Sequence, residues 1–511
     1  MKSFPKTRPD TAIATLEPPR PKIGFISLGC PKNLVDSEVM MGMLHGAGGQ
    51  LTNDASEAEI LVVNTCSFID SAKQESVNTI LELAQHKVAN GGRAQRLIVV
   101  GCLVERYRDE IQKNIPEVDA VVGTGELEQI LAAAGLQANQ QPADSPFRIL
   151  TESDLVARAH SAVHNVSRPE GDAREQQGRF SREHWDGAIA SLPNYLYDDA
   201  TPRILTTPKS SAYIKIAEGC DHPCGFCIIP QLRGKFRSRR LSSVIAEAES
   251  LVAQGVREIT LIGQDTTCYG EDLGMKDGLA HLLDALARIE GLRWLRFLYA
   301  YPNKITTALL ETIARHDNIS KYLDVPLQHA SPSVLKAMKR GGSGDIFLRM
   351  IEKARHIVPD IVLRTSFIVG FPGETEADYK QLEAFVRAAQ LDWLGVFTYS
   401  DEEGSPAFDL GGKVPHRTIE SRRRKLMKLQ QTISRKKQTR WIGREMDLLV
   451  EGESEETELL WEGRTMMHAP EIDGKVFIND FGPHEELVPG TFYKCEITES
   501  HDYDVVARIV E

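Results

Sequence analysis

Apolar and polar residues alternate along the first part of the chain in a way that predicts strands separated by helices. Helical spacing, as in Ser71–Ala89, fills the intervals between three apolar runs, which lie at residues 23–28, 59–64 and 96–100. Continuous apolar strands that alternate with helices are typical of a parallel sheet buried on both faces. We therefore predict a doubly wound α/β domain over residues 22–136.

The middle of the chain repeats this alternation over a longer stretch. Helical segments such as Ser242–Gln254 and Glu376–Gln390 separate six further apolar runs. These runs lie at residues 212–217, 258–262, 292–299, 322–326, 362–369 and 393–399. Six βα units in order indicate an open, partial (βα)6 barrel, because a full barrel of eight units needs more chain than is present. We assign residues 206–440 to this domain.

The two ends of the chain have different patterns. Short alternating segments with glycine turns, Glu445–Val450 and Tyr503–Val510, predict a small β-barrel over residues 441–511. Residues 1–21 are rich in proline, threonine and charge, and this composition predicts a disordered tail.

Two further segments connect the domains or cover them. Residues 137–205 are predicted to be a linker or insertion, mobile up to about residue 191, because glutamine, proline, aspartate, arginine and glycine replace the periodic pattern there. The stretch Ser421–Arg440 carries nine basic residues among periodic apolar ones. We favour a solvated helix face that packs on the barrel over an RNA-binding helix.

Composition restricts the class of protein. A chain of 511 residues, 41% hydrophobic and 26% charged, is too long for one core and is expected to form several domains. No apolar run reaches the length of a signal sequence or a membrane span, so a soluble cytoplasmic protein is expected. Eight cysteines are too sparse for a disulfide scaffold and suit a reducing compartment. Cys268 and Cys495 have no partner pattern and are predicted to be structural.

Charge is distributed unevenly along the chain. The net charge of −12 argues against a surface built to bind nucleic acid, because such binding depends on lysine and arginine. Residues 441–511 contain 18 acidic and 5 basic residues, an excess larger than that of the whole chain. The predicted C-terminal barrel is therefore strongly acidic.

Three closely spaced cysteines form the motif CxxxCxxC at Cys220, Cys224 and Cys227. Three thiolates on one loop can hold three irons of a cubic cluster and leave the fourth iron open for chemistry. A structural zinc site needs four ligands, and no second pair lies within reach in the sequence. Zinc, a disulfide and inert buried cysteines remain the alternatives. His222, inside the motif, is expected to shape the loop, and its role stays open.

A second trio of cysteines follows the three strands predicted in the first domain. Cys30, Cys66 and Cys102 each come directly after one of these strands and are spaced 36 residues apart. Because the carboxyl ends of parallel strands open onto one crevice, the three thiols are expected to converge there. Chance burial of small hydrophobic cysteines is the alternative to a second iron-sulfur cluster. Gly29 and Gly101 would let the backbone close tightly around such a cluster.

Polar and glycine residues follow two strands of the predicted barrel and are candidate ligand contacts. Carboxyl ends of barrel strands face the active site, and glycine turns there admit a nucleoside while polar side chains bind its hydroxyl or amino groups. Ordinary structural turns are the alternative reading of these motifs. The candidates are Gly263, Gln264 and Asp265 after the second strand and Gly370 and Glu374 after the fifth. Arg233 is placed to meet a carboxylate, with a solvated basic turn as the equal alternative.

With these motifs the chain resembles the methylthiotransferases of the radical S-adenosylmethionine (SAM) superfamily over residues 22–136 and 194–511. Members of this family have an N-terminal domain with an auxiliary 4Fe-4S cluster, a radical SAM core and a C-terminal TRAM barrel. The resemblance implies two 4Fe-4S clusters, one on each cysteine trio, and SAM bound at the open iron of the CxxxCxxC cluster. It also makes the glycine and polar residues of the barrel turns, with Arg233, candidate SAM contacts.

Two branches of this family compete, one acting on an adenosine of transfer RNA and one on an aspartate of the twelfth small-subunit ribosomal protein. The stretches Ser27–Glu38, Glu218–Cys224 and Gly263–Gly270 resemble the ribosomal branch, and Asp265 stands where the transfer-RNA branch typically has asparagine. An acidic barrel also suits a basic ribosomal protein, free or on the ribosome. A non-catalytic iron-sulfur protein and a zinc-stabilised RNA-binding module are the rivals from other classes.

The resemblance implies a radical reaction on the target aspartate. An electron from the CxxxCxxC cluster would cleave SAM, and the resulting deoxyadenosyl radical would remove a hydrogen from the β-carbon. Sulfur from the auxiliary cluster, methylated by another SAM, would then join that carbon. Such a C–H bond has no proton that a base removes at neutral pH, so a radical suits the task. An electron-donor protein is the implied second partner, while a membrane and direct nucleic-acid binding are not required.

Overall fold

A computed structural model describes residues 20–137, 147–149, 192–454, 457 and 460–511. The predicted disordered tail up to residue 19 and most of the predicted linker lie outside the described residues. The fold-class prediction is confirmed: a parallel-sheet α/β domain, an open βα barrel and a closed β-barrel follow one another along the chain.

The N-terminal domain is a five-stranded parallel sheet covered by helices on both faces. Its strands are Lys22–Ser27, Gln50–Thr52, Ile60–Thr65, Arg96–Gly101 and Ala120–Val122, with the second at one edge and the first beside it. The helices are Pro31–Gly46, Asp70–Ala84, Cys102–Asn114 and the short Ile130–Ala134. The central strand, Ile60–Thr65, is buried along its whole length, which explains its continuous apolar sequence.

All six strands predicted in the middle of the chain are present and pair in parallel. They are Ser211–Lys215, Glu258–Ile262, Trp294–Phe297, Tyr322–Asp324, Val362–Val369 and Trp393–Thr398. Backbone hydrogen bonds such as Ala300 N–H to Asp324 O, at 2.9 Å, join the third strand region to the fourth, so the two groups of three strands form one open arc.

Helices cover the outside of this arc and close the core of the barrel. They are Ile229–Arg233, Leu241–Ala253, Gly278–Leu286, Thr307–Arg315, Pro332–Ala337, Gly344–Ile357, Glu376–Ala389 and His416–Gln438. In none of the helices that the structure describes is there a segment both long and apolar enough to traverse a lipid bilayer.

The last of these helices contains the basic stretch singled out in the sequence. His416–Gln438 buries Ile419, Leu426 and Ile433 against the barrel core, as predicted for a helix that packs on the barrel. Several of its basic side chains are paired with carboxylates rather than displayed in a row, for example Arg422 with Glu374 at 2.8 Å. These carboxylates interrupt the row of positive charges on the helix, whereas phosphate binding needs a continuous cationic face.

A closed five-stranded barrel forms the C-terminal domain. Its strands are Glu445–Glu453, Trp461–Arg464, Val476–Asp480, Phe492–Ser500 and Val505–Ile509. Closure leaves no unpaired sheet edge, and buried residues such as Ile478 and Ala507 alternate with more exposed ones along Val476–Asp480 and Val505–Ile509.

The end of the predicted linker is structured and lies between the first two domains. Arg203–Leu205 forms a strand that pairs in parallel with Phe147–Ile149. Arg203 itself is buried and binds Glu38 of the N-terminal domain at 2.6 Å and Glu247 of the barrel at 2.5 Å. Residues 192–205 are thus part of an ion-paired interface between domains, where the sequence alone indicated a connecting segment.

Candidate functional site

Cys30, Cys66 and Cys102 follow the strands Lys22–Ser27, Ile60–Thr65 and Arg96–Gly101 at one edge of the N-terminal sheet. Cys66 lies within electrostatic range of both other thiols, so the structure brings the trio together as the strand pattern predicts. The helices that begin at Pro31 and Cys102 aim their N-terminal ends at this place, where backbone N–H groups favour negative charge.

Glycine allows the strand ends to approach one another at this trio. Gly29 has φ +91°, and a Cβ atom there would lie 2.8 Å from the Cβ atom of Cys66. Gly101 has φ +95°, and a Cβ atom there would lie 2.2 Å from the side-chain oxygen of Asn64. Any side chain at either position would displace the thiols from their common crevice.

Burial keeps the thiols of Cys66 and Cys102 neutral. It raises the pKa of Cys66 to about 12 and that of Cys102 to about 11, and neighbouring thiols add to the effect at both. A thiol of this kind becomes a thiolate when a metal or another cation balances the charge. Arg233 lies close enough to Cys102 to lower its pKa in part, and it supplies such a charge.

The CxxxCxxC loop is held in place mainly by backbone hydrogen bonds. Cys220 N–H donates to Gly234 O at 3.2 Å, and Gly225 N–H donates to Met338 O at 2.8 Å. Burial raises the pKa of Cys220 to about 11 and that of Cys227 to about 12. The three thiols therefore lie on a fixed, largely water-excluded loop at the carboxyl end of the first barrel strand.

Two groups donate hydrogen bonds directly to sulfur atoms of this loop. Ile229 N–H donates to Cys227 Sγ at 3.4 Å, and the Arg340 guanidinium donates to Cys224 Sγ at 3.5 Å. Arg340 is itself fixed over the Tyr301 ring, 4.3 Å from its centroid, and by Pro326 O at 2.8 Å. Donors aimed at sulfur stabilise added negative charge on a thiolate or on a cluster that it holds.

His222 and Asp265 connect this loop to the turn after the second barrel strand. His222 Nε2 lies 2.6 Å from Asp265 Oδ2, and its ring stacks on Tyr301 with centroids 3.9 Å apart. Asp265 also accepts from Thr267 N–H at 2.9 Å and from Cys268 Sγ at 3.0 Å. Burial alone would raise the pKa of Asp265, but these hydrogen bonds hold it below its usual value. His222 thus shapes the loop, as the sequence indicated.

The two cysteine trios lie at one interface. Cys102 of the N-terminal trio packs in a small apolar cluster with Leu232 and with Ile228, the residue that follows Cys227. Glu402 of the barrel pairs with Arg106 at 2.8 Å, beside the same helix start. The carboxyl edge of the first sheet therefore packs against the carboxyl end of the barrel, so both trios lie at the interface between the two domains.

A buried network of charges lines this interface, with Arg233 at its centre. Arg233 binds Asp36 at 2.5 Å and Glu218 at 3.3 Å, and it also donates to the side-chain oxygen of Asn33. Lys215 binds the same two carboxylates. Burial would raise the pKa of Glu218, but Lys215 and Arg233 hold it below its usual value. Arg233 thus binds carboxylates of the protein itself, and its contact with a ligand carboxylate stays a prediction.

The remaining predicted contacts differ in how free they are to bind a ligand. Gln264 donates to Glu218 at 2.7 Å while its amide oxygen is buried without a partner. A Cβ atom at Gly263 would be in ordinary contact with Ala217 O, 3.6 Å away. The carboxylate of Glu374 is already bound, because it accepts from Gly370 N–H and binds Arg422 at 2.8 Å. Gln264 therefore suits a nucleoside contact better than Glu374 does.

Several residues of the site escaped the sequence analysis. Arg340 and Tyr301 carry no local signal, because they reach the CxxxCxxC loop only through the fold of the barrel. Lys32 and Asn33 directly follow Cys30, and polar residues at the carboxyl end of a parallel strand are the signal that could have identified them.

Comparison with protein families divides the chain in three. Residues 22–123 match the uncharacterized protein family UPF0004, residues 214–386 the radical SAM superfamily and residues 442–510 the TRAM domain.

Similar proteins cover the chain almost from end to end. It is 67% identical to ribosomal protein uS12 methylthiotransferase RimO of Koribacter versatilis, over 99% of this chain and 100% of that protein. The protein of the same name from Solibacter usitatus is 54% identical, over 96% and 95% of the two chains. Among solved structures, the radical SAM methyltransferase TsrM of Kitasatospora setae is 16% identical with a TM-score of 0.49, covering 76% of this chain and 75% of that chain.

Proposed function

Because this chain belongs to the RimO family of ribosomal protein uS12 methylthiotransferases, we propose that it inserts a methylthio group at the β-carbon of an aspartate in uS12. The observation that carries this proposal is the 67% identity to a RimO protein along the full length of both chains. Family membership confirms the predictions of an enzyme and of a methylthiotransferase, and it favours the ribosomal branch over the transfer-RNA branch.

The cysteine trios fit iron-sulfur clusters better than single metal ions. In the part of the chain that the structure describes, the group whose ligand atoms all lie within 4.8 Å is His222, Asp265 and Cys268. The sulfur atoms of either trio are therefore spread more widely than a zinc ion, with Zn–S bonds of about 2.3 Å, would hold them. We propose that Cys220, Cys224 and Cys227 hold the SAM-binding 4Fe-4S cluster and that Cys30, Cys66 and Cys102 hold an auxiliary one.

When bound, these clusters and SAM supply the radical and the sulfur that substitution at an unactivated carbon requires. The residues of the chain position and shield this chemistry. The His222–Asp265 contact fixes the CxxxCxxC loop, and Gln264 offers a free amide oxygen at the same barrel turn. Arg233 and Lys215 balance negative charge where the two trios meet. An electron-donor protein and access to uS12, free or on the ribosome, complete the proposal.

Mass spectrometry tests the proposed function directly. The anaerobically reconstituted chain, with SAM and a reductant, is expected to add a methylthio group to an aspartate of purified uS12. Transfer RNA, incubated in parallel, is the matched control and is expected to stay unmodified. Modification of an adenosine with uS12 unchanged would overturn the assignment. If the chain holds its full content of iron and sulfide but does not cleave SAM, the result would favour a non-catalytic iron-sulfur protein.

Arg340 is expected to raise the midpoint potential of the cluster held by the CxxxCxxC loop. Its hydrogen bond to Cys224 Sγ stabilises the reduced, more negative cluster, so Arg340→Gln should lower the midpoint potential by tens of millivolts. A redox titration followed by electron paramagnetic resonance measures this shift. Arg349→Gln, at an exposed arginine on the next helix, is the control and should leave the potential unchanged. Equal potentials in all three proteins would contradict this role of Arg340.

A further inference from the structure

Lys32 lies at the interface between the N-terminal domain and the barrel, beside Cys30 of the N-terminal trio. It is the second residue of the helix Pro31–Gly46, two positions after Cys30, and it is partly buried. Its Nζ atom lies 3.3 Å from the centroid of the Tyr299 ring, at the carboxyl end of the third barrel strand. Tyr301, two residues further, stacks on His222 in the CxxxCxxC loop. Lys32 therefore carries a positive charge at the interface where both trios lie.

The other basic side chains at this interface are engaged. Lys215 and Arg233 are both paired with Asp36. Arg340 donates to a cysteine sulfur and a backbone carbonyl. For Lys32, by contrast, no carboxylate oxygen among the described residues lies within 4.0 Å of the ammonium nitrogen. The groups that stabilise its charge are Tyr299 and Cys30, so its ammonium can also stabilise the carboxylate of a ligand at this interface.

The tyrosine beneath Lys32 is held in a fixed, strained conformation. Tyr299 has φ +63°, in the left-handed region that residues other than glycine rarely adopt. Its N–H donates to Asp324 Oδ2 at 3.0 Å, and its carbonyl accepts from Thr266 N–H at 3.1 Å. Strain of this kind persists where the surroundings impose it, often at functional sites. The ring supports one side of the ammonium and leaves its other N–H groups for a ligand.

We propose that Lys32 binds the side-chain carboxylate of the substrate aspartate and thereby places its β-carbon at the interface where the two trios lie. This proposal rests on the proposed function. In aspartate the carboxylate is bonded directly to the β-carbon, so an ammonium that fixes the carboxylate also fixes the carbon to be modified. An adenosine has no carboxylate, so Lys32 is also a specificity determinant for a protein substrate over transfer RNA.

The first test compares three variants of the full chain with both clusters reconstituted. Lys32→Gln should lower kcat/KM for uS12 by about tenfold to a hundredfold, mainly through KM, because it loses a charge-assisted contact. Lys32→Arg should recover part of that loss. Lys113→Gln, at an exposed lysine of the same domain, is the matched control and should behave like the wild type. Iron and sulfide content and SAM cleavage without uS12 should stay within about twofold in every variant, because no ligand is removed.

The second test identifies the group that Lys32 binds. Binding of uS12 and of uS12 with its target aspartate changed to asparagine is measured for the wild type and for Lys32→Gln. The asparagine should weaken binding to the wild type by about the same factor as Lys32→Gln does, and the two changes together should cost little more than either alone. Additive losses would overturn the proposal.

Other anions that could face Lys32 give different results. A raised KM for SAM with an unchanged KM for uS12 would assign Lys32 to the SAM carboxylate. A shifted potential of the auxiliary cluster with normal uS12 binding would make it a counter-charge to that cluster. Either result overturns the proposal while the proposed function stands. Failure of the wild type to modify uS12 at all would refute the proposed function and this proposal with it.

Discussion

Replacing Cys66 by alanine is expected to abolish methylthio transfer while SAM cleavage continues. Cys66 is the middle member of its trio, and Cys30 and Cys102 alone offer too few thiolates for a stable cubane. The variant should lose about four irons and four sulfides per chain. Cys220, Cys224 and Cys227 lie on a separate loop with its own backbone hydrogen bonds, so their cluster should remain.

Iron and sulfide analysis, with product mass spectrometry, checks this result. Cys495→Ala is the control, because Cys495 is a buried cysteine of the C-terminal barrel, away from both trios. It should keep the iron, the sulfide and the transfer activity of the wild type. Full metal content in Cys66→Ala would exclude a cluster on the N-terminal trio. Loss of both clusters would mean that the two sites do not assemble independently.

The sequence was sufficient to predict the strands because burial on both faces of a parallel sheet demands continuous apolar residues. Glu258–Ile262 and Val362–Val369 have the predicted bounds, and the strand before Cys66 differs by a single residue at each end. The convergence of Cys30 with its two partners followed from the same pattern, because parallel strands end at a common edge. These features depend on local periodicity and on a general rule of topology.

The chemical surroundings of the site were harder to predict because they depend on contacts between distant segments. Arg340 reaches Cys224 across 116 positions in the sequence, and Arg233 reaches Asp36 across 197. Glu374 is the opposite case: a carboxylate in a glycine turn suggested a ligand contact, which stays a prediction, while the structure shows this carboxylate bound to the turn itself and to Arg422. Residue type and spacing do not distinguish a side chain that awaits a ligand from one already satisfied by the fold.

The same kind of long-range contact joins the N-terminal domain to the barrel. Arg203 comes from a segment whose composition indicated only a connection, yet its guanidinium is fully buried between the two domains. It donates to Glu38 at 2.6 and 3.0 Å, to Glu247 at 2.5 Å and to Tyr213 O at 2.7 Å. One cation thus balances two buried carboxylates from opposite sides of the interface that brings the cysteine trios together.

Arg203→Gln is therefore expected to be among the most destabilising single changes outside the cysteines. Glutamine is too short to satisfy both carboxylates and carries no charge, so Glu38 would lose the cation it pairs with while Glu247 would keep Arg239. Breaking a buried ion pair in this way costs about 3–5 kcal/mol in the free energy of unfolding. Chemical denaturation of the apoprotein under anaerobic conditions measures this loss without a contribution from bound clusters.

An exposed ion pair provides the control for this prediction. Arg387→Gln removes a pairing with Glu383 on a helix surface, where solvent screens the charges, and the free energy of unfolding should stay the same within error. If Arg203→Gln also left the free energy of unfolding unchanged, water or a rearranged side chain would have to replace the guanidinium at the interface. The alignment of the two trios would then have to depend on the other contacts, such as Arg106 with Glu402 and Arg233 with Asp36.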